Sequence, residues 1–118
     1  MWVNNRFGTR LHMYKSIQPK SAHDMIKQDT VTIIDIRDIA SFEQDHLENA
    51  RHVTGENIEE FVEASKWNQP LLVYCYHGNS SQPAAEYFGN RGFEDVYHLV
   101  GGFESWRSSN LPTACSTN

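Results

Sequence analysis

Three short apolar runs constrain this chain more than any other feature. Val31-Thr32-Ile33-Ile34-Asp35-Ile36 is compact and β-branched, Leu71-Leu72-Val73-Tyr74 opens after Pro70, and Val96-Tyr97-His98-Leu99 follows. Each reads as a buried strand, and Arg51-His52-Val53 as a shorter fourth. Helical spacing fills the gaps. The pattern predicts helices over 21–28 (after Pro19, with Ser21 as cap), 39–46, 57–66, 81–91 and about 103–107. Within them Ile58, Phe61 and Val62 share one face, as do Ala84, Ala85 and Phe88, and Gly92 closes the fourth helix. Strands alternating with helices indicate βαβ units and a parallel sheet.

The length of 118 residues suits one domain with a proper core, which needs no metal or disulfide staple. That domain is expected over 13–112. Residues 1–12 read as an extension outside the fold, upstream of a second possible start at Met13, and 113–118 as a flexible tail. No stretch reaches the roughly 18 consecutive apolar residues of a membrane span. The formal net charge of -5 argues against nucleic acid and anionic membranes as partners. It also means that an anionic substrate needs a local source of positive potential. The two cysteines, Cys75 and Cys115, sit in unlike contexts, and free thiols in a reducing cytoplasm are expected.

Cys75 directly follows the second run, and ligands in open α/β sheets bind beyond the carboxyl ends of the strands. The order is strand, cysteine, tight loop, helix start, with Ser81 as helix cap and Pro83 in the first turn. Such a loop can turn several N–H groups inward as an anion nest, and the helix N-terminus adds partial positive charge. Charge-assisted hydrogen bonds contribute roughly 1.5–3 kcal/mol each. Two of them could therefore lower a thiol pKa by a couple of units without any lysine or arginine in the loop. Gly78 allows the curl a positive φ. Position alone does not make a nucleophile, because a cysteine ending a core strand is more often a small buried hydrophobe.

The loop Cys75-Tyr76-His77-Gly78-Asn79-Ser80 resembles the active-site loop of the rhodaneses, in particular the single-domain ones. Three further segments resemble the family in the right order. They are Asp35-Ile36-Arg37-Asp38, its D-x-R signature after a strand; Ser41 to Ala50, its x-F-x-x-G-H-I-x-x-A segment; and Gly101-Gly102-Phe103-Glu104-Ser105-Trp106, its G-G-F-x-x-W. The resemblance spans about residues 14–112. It departs at Asp45, where the family usually has glycine, and at Asn49, where it often does, and small backbone adjustments are expected there.

The resemblance implies a rhodanese-like domain with a central parallel sheet of about five strands and helices on both faces. It also implies thiosulfate sulfurtransferase activity through a persulfide on Cys75, cradled by the backbone amides of Tyr76, His77, Gly78, Asn79 and Ser80. Thiosulfate would be the donor, and cyanide or a dithiol, such as that of a thioredoxin-like protein, the acceptor. No cofactor is implied.

Other residues carry plainer expectations. His77 reads as a solvent-facing loop residue whose backbone matters, Ser81 as a cap, and Ser80 as the better claimant to substrate contact. Asp35 and Arg37 read as an ion pair or loop brace, Phe103 and Trp106 as core aromatics, and Cys115 as an incidental surface thiol. No spacing suits a metal, since Cys75-Tyr76-His77 is too tight for a zinc half-site.

A non-catalytic rhodanese-like module is one alternative. A cysteine phosphatase or arsenate reductase is another, but its loop needs arginine six residues after the cysteine, where Ser81 stands. A serine hydrolase elbow fails because Gln82 replaces the closing glycine of G-x-S-x-G.

Overall fold

The computed structural model describes residues 14–115. The extension expected over 1–12 therefore lies outside the described residues, as does the end of the expected tail, 116–118. Five strands form one parallel sheet: β1 (Lys15–Ile17), β2 (Thr32–Asp35), β4 (Arg51–His52), β5 (Leu71–Tyr74) and β6 (Val96–Leu99). Their spatial order is β1-β6-β5-β2-β4. In register, Thr32 to Asp35 lie beside Leu71 to Tyr74, and Leu71 to Val73 beside Val96 to His98.

Alternation along these strands divides the core. Ile34, Leu71, Val73 and Val96 pack with Phe61, Val62, Ala85 and Phe88 from α3 (Ile58–Ala64) and α4 (Ser81–Asn90). Ile33, Leu72, Tyr74 and Leu99 face the other way, onto Ala22 of α1 (Pro19–Gln28) and Phe103 and Trp106 of α5 (Gly102–Ser108). Both faces are thus covered, as a parallel sheet requires. The expected five-stranded α/β architecture stands.

Two of the expected strands, 71–74 and 96–99, hold to the residue. β1 has no counterpart in the sequence pattern. Its burial is exposed, exposed, intermediate, so it is an edge strand held by pairing with β6 and lacks an apolar run of its own. α1 starts at Pro19, and its N-cap Gln18 makes no side-chain cap, so Ser21 lies within the first turn and caps nothing. α2 (Ile39–Gln44) stops two residues short of the predicted end. His46–Leu47 instead form a strand, β3, antiparallel to β7 (Thr113–Ala114). The tail expected from residue 113 therefore begins as paired strand, and Trp106 Nε1 donates to the Pro112 carbonyl at 2.9 Å, tying the chain down just before it. Tertiary pairing, which has no local signal, moves this boundary.

The loop after β2 is braced by a buried ion pair. Arg37 Nη2 lies 2.7 Å from Asp35 Oδ2, and both side chains are almost entirely out of solvent. Asp35 also accepts from the Arg37 amide at 2.8 Å and from Nε at 3.0 Å. Arg37 Nη2 reaches on to the Asp45 carbonyl at 2.6 Å, and the guanidinium lies 4.1 Å from the centre of the Phe103 ring. The two glycine departures resolve differently. Asp45, at φ -167, is ordinary extended backbone that needs no glycine. Asn49 sits at φ 68, a left-handed conformation that asparagine tolerates better than most residues.

Removing one partner of a buried pair strands the other charge, which costs about 3–5 kcal/mol, whereas replacing both can be nearly neutral. Asp35→Ala should therefore lower the denaturant midpoint strongly, and adding Arg37→Met should recover part of the loss. Additive losses in urea unfolding would contradict the brace.

Candidate active site

Cys75 follows the last residue of β5, the central strand of the sheet, and is 6% exposed. Its sulfur faces the start of α4. The amide of Gly78 donates to Sγ at 3.3 Å and the amide of Ser81 at 3.2 Å. Burial alone would push the thiol pKa up. The Ser81 hydroxyl and the amides of Ser81, Gly78 and His77 outweigh it, and the pKa lies below the ordinary cysteine value. No side-chain base or cation is among these causes.

The loop holds this shape through close backbone packing. Gly78 has φ +90, and a Cβ there would stand 2.8 Å from the Gly101 nitrogen. Gly102, at φ +64, passes so near the loop that a Cβ would meet the Tyr76 carbonyl at 2.5 Å and the Cys75 oxygen at 2.6 Å. The first amides of α5 use this proximity: Phe103 donates to the Cys75 carbonyl at 2.8 Å and Glu104 to the Tyr76 carbonyl at 3.1 Å. The carbonyls at the start of the loop are thereby drawn toward α5, while the Gly78 and Ser81 amides turn toward sulfur. Across the loop, Gln82 Nε2 donates to the Gly78 carbonyl at 2.9 Å, and Tyr14 Oη donates to Gln82 Oε1 at 3.0 Å.

A cleft of about 260 Å³ includes the thiol, lined by Ile36, Arg37, Asp38, Cys75, Tyr76, His77, Asn79 and Ser80. A larger cavity of about 540 Å³ shares Arg37, Tyr76 and His77 with it but does not contain Cys75. The small cleft, holding the only buried thiol among the described residues, is the place for chemistry.

The expected site residues are drawn together unequally. Gly78 supplies a direct donor, and the His77 amide is among the groups that lower the thiol pKa. Asn79 and Ser80 are exposed at the cleft wall. The Tyr76 ring turns outward, its hydroxyl against Ser41 Oγ. The His77 ring is exposed, and its Nδ1 lies 2.6 Å from Glu104 Oε1, so it faces α5. Ser81 is the correction. Ser80 occupies the N-cap position without a side-chain cap, and Ser81 is the first helical residue, fully buried, with its amide turned to the thiol and its hydroxyl 3.0 Å from His98 Nδ1. Sequence reasoning also assigned no role to Tyr14, His98 or the glycine pair. Two adjacent glycines at a helix start were the available sign of a close backbone approach.

A strand-end thiol in a nest of amides, followed by a helix, is the arrangement of a rhodanese-like domain. The family model of that description, "Rhodanese-like domain", matches residues 18–109, and the chain belongs to this family. Its curated relatives include the thiosulfate sulfurtransferase GlpE of Vibrio cholerae, 46% identical over 100 residues, covering 85% of this chain and 94% of that one. The GlpE of Coxiella burnetii is 41% identical over 106 residues, covering 90% and 99%. Among solved structures, the rhodanese-related protein from Thermoplasma volcanium superposes with TM-score 0.75 at 24% identity, covering 86% of this chain and 98% of its own. A rhodanese-like domain from Anabaena gives TM-score 0.78 at 21% identity over 87% and 80%. These two show the shared fold.

The Cys75 thiol should ionise at lower pH than an ordinary cysteine, whose pKa is about 8.5. Its alkylation rate should therefore reach half-maximum at lower pH than that of a model thiol, and Gly78→Ala should move the midpoint upward by displacing an amide donor. A wild-type midpoint at or above that of the model thiol would contradict the cradle.

Proposed function

We propose that this chain is a thiosulfate sulfurtransferase and that Cys75 carries the sulfur as a persulfide. The observation that supports this best is the thiol itself, held by amide and hydroxyl donors and no side-chain base. The Cys75 thiolate attacks the outer sulfur of thiosulfate, a new S–S bond forms, the old one breaks, and sulfite leaves with the electron pair. No proton is transferred, so no general base is required. The persulfide anion then rests among the same donors. Cyanide, or one thiol of a dithiol, attacks the outer sulfur, and Cys75 returns as thiolate. This is covalent catalysis in two half-reactions.

Charge is consistent with this reading. The protein is anionic overall, and the Arg37 charge at the cleft wall is already paired with Asp35. Attraction for an anion then falls to the loop amides and the N-terminus of α4. A phosphatase reading is weaker, because Ser81 occupies the position where such loops carry arginine. The names of the GlpE relatives point the same way. A thioredoxin-like protein could serve as the dithiol, and a cytoplasmic setting suits a reactive free thiol. Among the described residues no helix is long and apolar enough to cross a membrane.

Intact-mass measurement after thiosulfate treatment should show the gain of one sulfur atom, its loss on adding cyanide, and no gain in Cys75→Ala. Thiocyanate formation should fall to background in Cys75→Ser. Failure to gain sulfur, or rapid Cys75-dependent hydrolysis of p-nitrophenyl phosphate, would refute the reading.

A further inference from the structure

Behind the thiol lies a second buried layer that the transfer chemistry above does not use. His98, on β6, is 4% exposed, and its Nδ1 stands 3.0 Å from Ser81 Oγ. Ser81 is 0% exposed, its amide donates to Cys75 Sγ at 3.2 Å, and its hydroxyl is among the groups that lower the thiol pKa. Cys75, Ser81 and His98 thus form a continuous polar chain running from the cleft into the domain. The Tyr14 ring meets the His98 ring edge-on at 5.6 Å. The same Tyr14 ties to Gln82, which holds the Gly78 carbonyl.

A serine hydroxyl has one proton and two acceptor lone pairs. If Ser81 donates to His98, the proton is spent and an oxygen lone pair faces the sulfur, which disfavours a thiolate. If His98 donates to Ser81, the hydroxyl proton is free for Sγ. The direction of the His98–Ser81 bond therefore decides whether Ser81 stabilises or destabilises the anion. Burial disfavours the charged imidazolium, so a neutral ring carrying its proton on one nitrogen is the relevant form.

We propose that His98 is a positioning residue for the reactive thiol: it holds its proton on Nδ1, donates it to Ser81 Oγ, and so commits the Ser81 hydroxyl to Cys75 Sγ. In this arrangement every donor has an acceptor. The titratable groups around the chain are Tyr14 from the segment before β1, and Arg37, Asp38, Tyr76 and His77 around the mouth of the cleft. None stands between His98 and Ser81. The proposal rests on Cys75 being the nucleophile, but it concerns the thiol itself and not the sulfur donor.

The test is a double-mutant cycle read on Cys75 ionisation in the reduced protein, by thiolate absorbance or the pH profile of alkylation. His98→Leu should reduce the thiolate fraction at neutral pH about tenfold, the loss expected for one charge-assisted hydrogen bond. His98→Asn, whose amide N–H can take the place of Nδ1–H, should recover most of it. In a Ser81→Ala background, His98→Leu should change nothing further. An unchanged profile in His98→Leu, or full additivity with Ser81→Ala, would overturn the proposal. A direct measurement covers the case in which His98→Leu fails to fold: 15N shifts of the wild-type ring report the tautomer. Nδ1–H is expected, and Nε2–H would overturn it. If the cycle behaves as expected while thiosulfate leaves no persulfide, the positioning role stands and the sulfurtransferase reading falls.

Discussion

The site depends on the close approach of Gly102 to the start of the cysteine loop. Only a residue without a Cβ can sit 2.5 Å, measured from where that atom would be, from the Tyr76 carbonyl. That approach lets the first amides of α5 take the carbonyls of Cys75 and Tyr76. A carbonyl fixed on one side of a peptide plane fixes the N–H on the other, because the peptide is planar. The curl that follows is constrained in the same way, and its amides arrive at sulfur. α5 is thus part of the candidate site although none of its side chains lines the cleft that includes the thiol.

Around this contact the molecule separates two electrostatic tasks. The buried charge pair of Asp35 and Arg37 is internally neutralised and fixes the neighbouring loop, with Phe103 beneath the guanidinium. The surroundings of the Cys75 thiol are made instead from dipoles, namely amides, a hydroxyl and a helix end. A fixed dipole nest stabilises an anion without carrying a formal charge that would itself need a counter-ion. An acidic protein can in this way hold a thiolate at a low-dielectric strand end.

Much of this was legible along the chain. The strand at 71–74 declared itself because it is buried on both faces and so is continuously apolar, and the one at 96–99 because it is short, β-branched and aromatic. The cysteine at a strand end before a helix declared the kind of site. The edge strand β1 and the β3–β7 pair did not, because edge strands are held by hydrogen bonds to partners distant in sequence and have little apolar pattern. Ser81 was misread for a related reason: a serine before a helix is ordinarily a cap, and a shift of one residue turns its side chain inward. His98 sat unremarked within a strand, since alternation places it on the α4 face only once the sheet is assembled.

The sequence by itself determined the class of fold, the cysteine proposed as nucleophile and the absence of lysine or arginine from its loop, because each follows from residue type and local order. Only the tertiary structure decided which donors reach sulfur. It selected Gly78 and Ser81, placed His98 behind Ser81, and set α5 under the loop. Those outcomes depend on angles and separations of a few tenths of an ångström between segments far apart in the chain. Hydrogen bonding is sensitive to such differences, and a linear pattern does not encode them.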